Sequence, residues 1–116
     1  MFKLMFKGVK IADGEWITAE HYEKDEQGNI FLGDYRVEPD SLSVFTGLYD
    51  IDGNPVFGGD VLMVNASTLE INVVIIWNKN EAKWQADRVI GGKFSDLTAA
   101  KVAHWRVIGN FFRPNS

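Results

Sequence analysis

Apolar residues fall in short runs separated by turn chemistry at intervals of about eight to twelve residues, the rhythm of an all-β chain. Val9-Lys10-Ile11 and Glu15-Trp16-Ile17-Thr18 flank Asp13-Gly14, a pair whose tolerance of positive φ predicts a hairpin. A charged stretch at residues 20–26 leads through Gln27-Gly28-Asn29 into Ile30-Phe31-Leu32. Tyr35-Arg36-Val37 stops at Pro39, which has no N–H to give a sheet. Leu42, Val44 and Thr46 alternate with Ser41, Ser43 and Phe45 and predict another strand. Residues 50–55 read as a turn, because Asp and Asn side chains accept backbone N–H bonds, Gly53 supplies positive φ and Pro55 fixes the exit.

Beyond that turn, Val56-Phe57 and Val61-Leu62-Met63-Val64 bracket Gly58-Gly59-Asp60. Residues 71–77 give the longest strand, apolar on both faces at its centre, which predicts a central or interface strand. Residues 82–87 return antiparallel to it, with Lys83, Gln85 and Asp87 on one face and Trp84 with two alanines on the other. Residues 95–101 predict one helical turn with Ser95 as N-cap. Gly109-Asn110 predicts a hairpin joining residues 105–108 to Phe111-Phe112-Arg113, with Pro114 closing the structure.

Composition narrows the function classes. A chain of 116 residues, 46% hydrophobic and 24% charged, can bury a core and offset its ordering entropy. The absence of Cys removes disulfides, thiolate zinc sites and thiol nucleophiles, and suits a reducing cytoplasm. A net charge of −4 argues against a strongly cationic binder of nucleic acid or membrane. Lys3, Lys7 and Lys10 interrupt any signal-peptide core, and residues 71–77 are too short to span a bilayer, so no membrane partner is expected.

Candidate chemistry is sparse. His21 and His104 belong to no spaced ligand pair, so no metal site is predicted. Asp50, Asp52, Gly53 and Asn54 resemble the start of a calcium loop, but Pro55 and Val61 stand where its Gly and Glu belong. Gly91-Gly92-Lys93 lacks the spacing and following hydroxyl of a phosphate loop. No nucleophile signature is present, so the chain reads as a non-enzyme with no cofactor. Asp50, Asp52 and Asp60 would serve as an acidic partner patch, or as a carboxylate site if they converged. The second half interleaves Trp77, Trp84, Phe94 and Trp105 with Lys79, Lys83, Arg88 and Lys93. Rings stack on bases while cations hold phosphate, which makes Lys79, Lys83, Trp84, Arg88 and Lys93 candidate contacts for nucleic acid or a partner. The competing expectation is that these rings are core.

Three blocks of sequence stand out in order along the chain. The first is Phe6-Lys7-Gly8 with Asp13-Gly14-Glu15-Trp16. The second is residues 37–42 running into Phe45-Thr46-Gly47-Leu48-Tyr49-Asp50, then Gly53, Val56-Phe57 and Gly59-Asp60-Val61. The third is Val107-Ile108-Gly109-Asn110-Phe111-Phe112 with Pro114. Together they resemble the opening, central signature and close of the YopX family of small phage and prophage proteins. Phe45 and Phe112 stand for the usual Tyr, and Gly58 for a usual acid. The resemblance implies a β-rich fold whose C-terminal part is a small Src-homology-3-type barrel, and it carries over no catalytic residue. Lobes at 1–58 and 59–116, or one compact domain, are the expected organisation.

The motif residues Gly8, Trp16, Thr46, Gly47, Leu48, Asp50, Gly53, Gly59, Asp60, Gly109 and Asn110 then read as mainly structural, with the glycines at turns and Asp60 tying down a loop. The function expected is a phage or prophage adaptor in the host bacterial cytoplasm, binding a phage or host protein and associating with itself. The alternative is a nucleic-acid-binding accessory protein using the second half. Residues 1–60 hold five Lys+Arg against twelve Asp+Glu, a balance of −7, and residues 61–116 hold seven against four, a balance of +3. That asymmetry favours head-to-tail self-association.

Overall fold

The computed structural model describes residues 4–66 and 69–112. The chain divides into two compact units, Met1–Phe45 and Thr46–Ser116, ahead of the boundary at residue 58 read from the sequence. Among the described residues, apart from one short helix and one 3-10 turn, the regular structure is β throughout, so the all-β expectation holds.

In the first unit, β1 (Phe6–Val9) pairs antiparallel with β2 (Trp16–Ala19), Phe6 opposite Ala19 and Val9 opposite Trp16. The Asp13-Gly14 turn joins them: Gly14 has φ 75° and its N–H donates to the Lys10 carbonyl at 2.9 Å. Strands β3 (Glu23–Lys24), β4 (Ile30–Leu32) and β5 (Tyr35–Val37) form an antiparallel sheet in that order. Gly28, at φ 87°, turns β3 into β4, while Asp25 Oδ1 accepts the Gln27 and Asn29 N–H groups at 3.0 and 2.8 Å. Pro39 opens the 3-10 turn Pro39–Ser41, where its missing N–H costs nothing. The chain then enters β6 (Ser43–Tyr49), whose Val44 pairs with Phe6. Phe6, Ile30, Leu32 and Val37 form the core of this unit. Buried Ser41 locks the layers, its Oγ accepting the Val9 N–H at 2.8 Å and donating to the Glu38 carbonyl at 2.6 Å.

The second unit contains β7 (Pro55–Phe57), β8 (Asp60–Ala66), β9 (Leu69–Asn78), β10 (Lys83–Arg88), β11 (Lys93–Asp96), α1 (Ala99–Val102) and β12 (Arg106–Asn110). Five strands make one antiparallel sheet in the order β11-β10-β9-β8-β12. β9 is central, as its doubly apolar pattern predicts: Val73 and Ile75 are fully buried, and Val74 and Ile76 on the other face are half-buried. Leu62, Val64, Val73, Ile75, Ala86, Val102 and Trp105 form the core, with Leu48, Trp84 and Phe94 packed against it. No pairing among the described residues closes the sheet into the expected barrel; the turn at residues 50–54 bonds the outer edge of β12 instead.

Two local expectations are corrected. Ser95 is not a helix cap but a strand residue paired with Ala86, and α1 begins a turn later, where Thr98 Oγ1 accepts the Lys101 N–H. Gly109-Asn110 is not a hairpin turn either. Gly109 pairs with Val61 and Asn110 with Asp60 inside β12, just after an irregularity at residues 107–109. Arg113 and Pro114 lie outside the described residues.

Candidate functional site

The central motif folds into two carboxylate clasps. Asp50 directly follows β6 and heads the first. Its N–H donates to the Asn54 carbonyl at 2.9 Å, and Gly53, at φ 81°, returns its N–H to the Asp50 carbonyl at 3.0 Å. The Asp50 carboxylate is nearly inaccessible. Oδ1 accepts the Asp52 and Asn54 N–H groups at 2.9 and 2.8 Å, and Oδ2 reaches 57 residues along the chain to the Val107 N–H at 2.9 Å. Burial opposes ionisation, but the Val107, Asn54 and Asp52 N–H bonds outweigh it and hold the carboxyl below its ordinary value. The Ile51 N–H donates to the Trp105 carbonyl at 2.9 Å, and Asp52 Oδ2 accepts Arg106 Nε at 2.8 Å. Three successive residues thus bond the segment 105–107 where the chain enters β12.

Asp60 heads the second clasp and is completely buried. Its Oδ2 accepts the Phe57 N–H at 2.7 Å and its Oδ1 accepts Asn110 Nδ2 at 3.0 Å, while Asn110 Oδ1 accepts the Phe112 N–H at 2.9 Å. Gly59 has φ 86° and gives its carbonyl to the Phe111 N–H at 2.7 Å. A Cβ there would lie 3.4 Å from Asn110 Nδ2, in a backbone conformation that side chains resist. Upstream, Thr46 Oγ1 donates to the Val56 carbonyl at 2.7 Å and accepts the Leu48 N–H at 3.2 Å, around Gly47 at φ 88°. Leu48 packs on the core. In the first unit, a Cβ at Gly8 would come within 3.1 Å of Val37 Cγ2 and 3.2 Å of Leu32 Cδ1, so these side chains pack closely over the glycine and would have to give by a few tenths of an ångström. Trp16 carries Lys7 Nζ 4.7 Å above its ring.

The three aspartates do not share a centre: Asp50 and Asp60 serve different backbone segments, and Asp52 is an exposed ion-pair partner. The basic and aromatic set is not assembled into a platform. Trp84 pairs with Trp77 and faces the core side of the sheet, whereas its neighbour Lys83 points to the other face. Lys83 Nζ lies 3.3 Å from Glu81 and 3.2 Å from Asp96, and Lys93 Nζ lies 2.6 Å from Asp96 Oδ1. Those two lysines, Lys93 foremost, hold the Asp96 carboxyl below its usual range. Arg88 sits 5.6 Å above the Phe94 ring, and Lys79 is exposed in the turn after β9. His21 and His104 are exposed, and among the described residues no three potential ligands gather for a metal.

A comparison with protein families bears on the same residues. The profile of the YopX protein matches residues 4–115, nearly the whole chain. The chain belongs to the YopX family. No curated protein matches it. In this YopX chain the motif blocks that carry the resemblance are the places where buried polar groups bond across long sequence separations.

Charge, divided where the YopX fold divides, changes the sequence picture. Residues 1–45 hold five Lys+Arg against nine Asp+Glu, a balance of −4, and residues 46–116 hold seven against seven. The second unit is therefore neutral, because Asp50, Asp52 and Asp60 belong to it. Sequence reasoning missed Arg106 as the partner of Asp52 and Ser41 as the bolt of the first unit. It also missed the chain Asn78 Nδ2–Gln85 Oε1 at 2.8 Å and Gln85 Nε2–Asp87 Oδ1 at 2.6 Å. The placement of Gln85 and Asp87 on one face of β10 is the only one of these signals that strand alternation carried.

Proposed function

We propose that this YopX protein is a non-enzymatic phage or prophage module of the bacterial cytoplasm, acting through protein contacts and associating with itself. The observation that carries this reading is a contrast between its polar and apolar groups. The motif carboxylates, Asn110 and Thr46 are buried and spent on internal hydrogen bonds. Large apolar side chains are instead left in water: Ile90 is 91% exposed, Phe111 62%, Tyr49 55%, Ile51 52% and Trp77 51%. Aromatic and aliphatic groups of this kind anchor protein interfaces when a partner desolvates them. Recognition of nucleic acid draws less support, since the cations of the second unit are matched in number by acids and several are already ion-paired.

The test is affinity purification of the tagged chain from lysogenic or infected cells, with and without nuclease, followed by mass spectrometry. Partners retained after nuclease support protein contact. Partners lost with nuclease would overturn it in favour of nucleic acid.

A further inference from the structure

The most exposed large apolar side chain of the described residues is Ile90, at the tip of the β10–β11 hairpin. The tip is built rather than frayed. The Arg88 N–H donates to the Gly92 carbonyl at 3.0 Å and the Val89 N–H to the Asn72 carbonyl at 3.2 Å, so the base is closed and anchored to β9. Gly91, at φ 133°, lets the chain pass close over the Arg88 stem, where a Cβ would stand 3.4 Å from Arg88 Cδ. Val89, 46% exposed, and Ile90 project beyond this closure. Residues 88–93 carry two cations and no acid. Arg88 rests on the Phe94 ring rather than on a carboxylate, which leaves its guanidinium N–H groups able to bind one, and Lys93 shares Asp96 with Lys83.

An apolar knob rimmed by cations is complemented by a partner surface that joins acidic groups to an exposed apolar or aromatic side chain. A net charge of −4 repels the whole chain from anionic lipid and nucleic acid, yet the entire excess of acid lies in the first unit. There residues 20–26 present Tyr22, 45% exposed and braced edge-on against Phe6 at 5.0 Å, between exposed Glu20, Glu23 and Glu26. We infer that the 88–93 hairpin tip of one copy docks on the Tyr22 segment of a second copy, a head-to-tail contact. The two surfaces differ, so the interface is heterologous and each copy offers one of each. This rests on the protein-contact reading above and names the second copy as the partner.

Two exposed sites make the test possible without disturbing either core. Ile90→Asp removes the knob, and Glu23→Lys with Glu26→Lys reverses the acceptor. Sedimentation velocity at about 100 μM and low salt should show the wild type assembled, and raising salt should disperse it. Each variant alone should weaken assembly by about tenfold or more. Mixed together they should form a 1:1 pair, because the Ile90→Asp chain keeps its acceptor and the lysine variant keeps its knob. Tryptophan fluorescence confirms that each is folded, and Ile90→Ser repeats the first arm with a neutral side chain. A monomeric wild type, variants that assemble like the wild type, or a mixture that stays monomeric would each overturn the inference. Capture of another protein in the nuclease-treated purification would in that case leave the broader reading standing.

Discussion

Exchanging the two polar side chains of the second clasp should rescue what each single change destroys. Asp60 is wholly buried and accepts the Phe57 N–H at 2.7 Å and Asn110 Nδ2 at 3.0 Å. Asp60→Asn turns an NH2 group toward one of those donors, so a buried hydrogen bond becomes a donor–donor clash. An unmade buried bond of this kind costs about 2–3 kcal/mol. Asn110→Asp sets two carboxylates at the 3.0 Å separation now bridged by the amide, a like-charge contact of similar cost, about 2–3 kcal/mol. In the double exchange, the amide introduced at position 60 accepts from the Phe57 N–H through its oxygen. Its NH2 group donates to the carboxylate introduced at position 110, which still accepts the Phe112 N–H. Each of these bonds regains its polarity. The double variant should lose no more than about 2 kcal/mol, giving a coupling energy of about 3 kcal/mol. Urea unfolding followed by tryptophan fluorescence measures all four proteins, and an unchanged slope certifies that only stability moved. Strict additivity of the two losses would refute the clasp.

Three further outcomes follow from the same geometry. Asp50→Asn should cost about 2–3 kcal/mol, because its NH2 group takes the place of one carboxylate oxygen and strands the N–H donors on that side. Because its folded carboxyl titrates below the ordinary 3.8, its contribution is present above that value and lost as pH falls through the lower folded one, so the variant's acid unfolding curve should be flatter below about pH 4. Gly59→Ala should cost about 1–2 kcal/mol in thermal or urea unfolding, since φ 86° resists a Cβ. Arg106→Ala, breaking an ion pair whose side chains are both half-exposed, should cost under about 1 kcal/mol and should matter less as salt rises.

Local chemistry made much of this fold legible. Asp13-Gly14 and Gln27-Gly28-Asn29 turn where their φ preferences demand, and the doubly apolar run in β9 sits in the middle of its sheet. The misreadings have one cause, a distant partner outvoting a local preference. Gly109-Asn110 has hairpin chemistry, but Asp60, 50 residues earlier, takes the Asn110 amide and Val61 pairs with Gly109. Ser95 can cap a helix, but Ala86 holds it in a strand. The site was less legible than the fold. Asp60 was read as tying down a loop, and its carboxylate does hold the Phe57 N–H. Nothing near Asp50 announces that it serves an N–H on β12, and nothing near Arg106 announces Asp52.

The long reach of both clasps bears on how the chain acquires its structure during synthesis. At typical elongation rates of about 5–20 residues per second, Asp50 and Asp60 exist for seconds before Val107 and Asn110 are made. During that interval the β8 edge that β12 will cover is bare, and each carboxylate has its local N–H donors but lacks the distant one. The second unit therefore cannot lock before β12 has been made. β12 is the latch, and a nascent chain stalled before residue 106 should stay open to proteases and chaperones however well its earlier hairpins have formed.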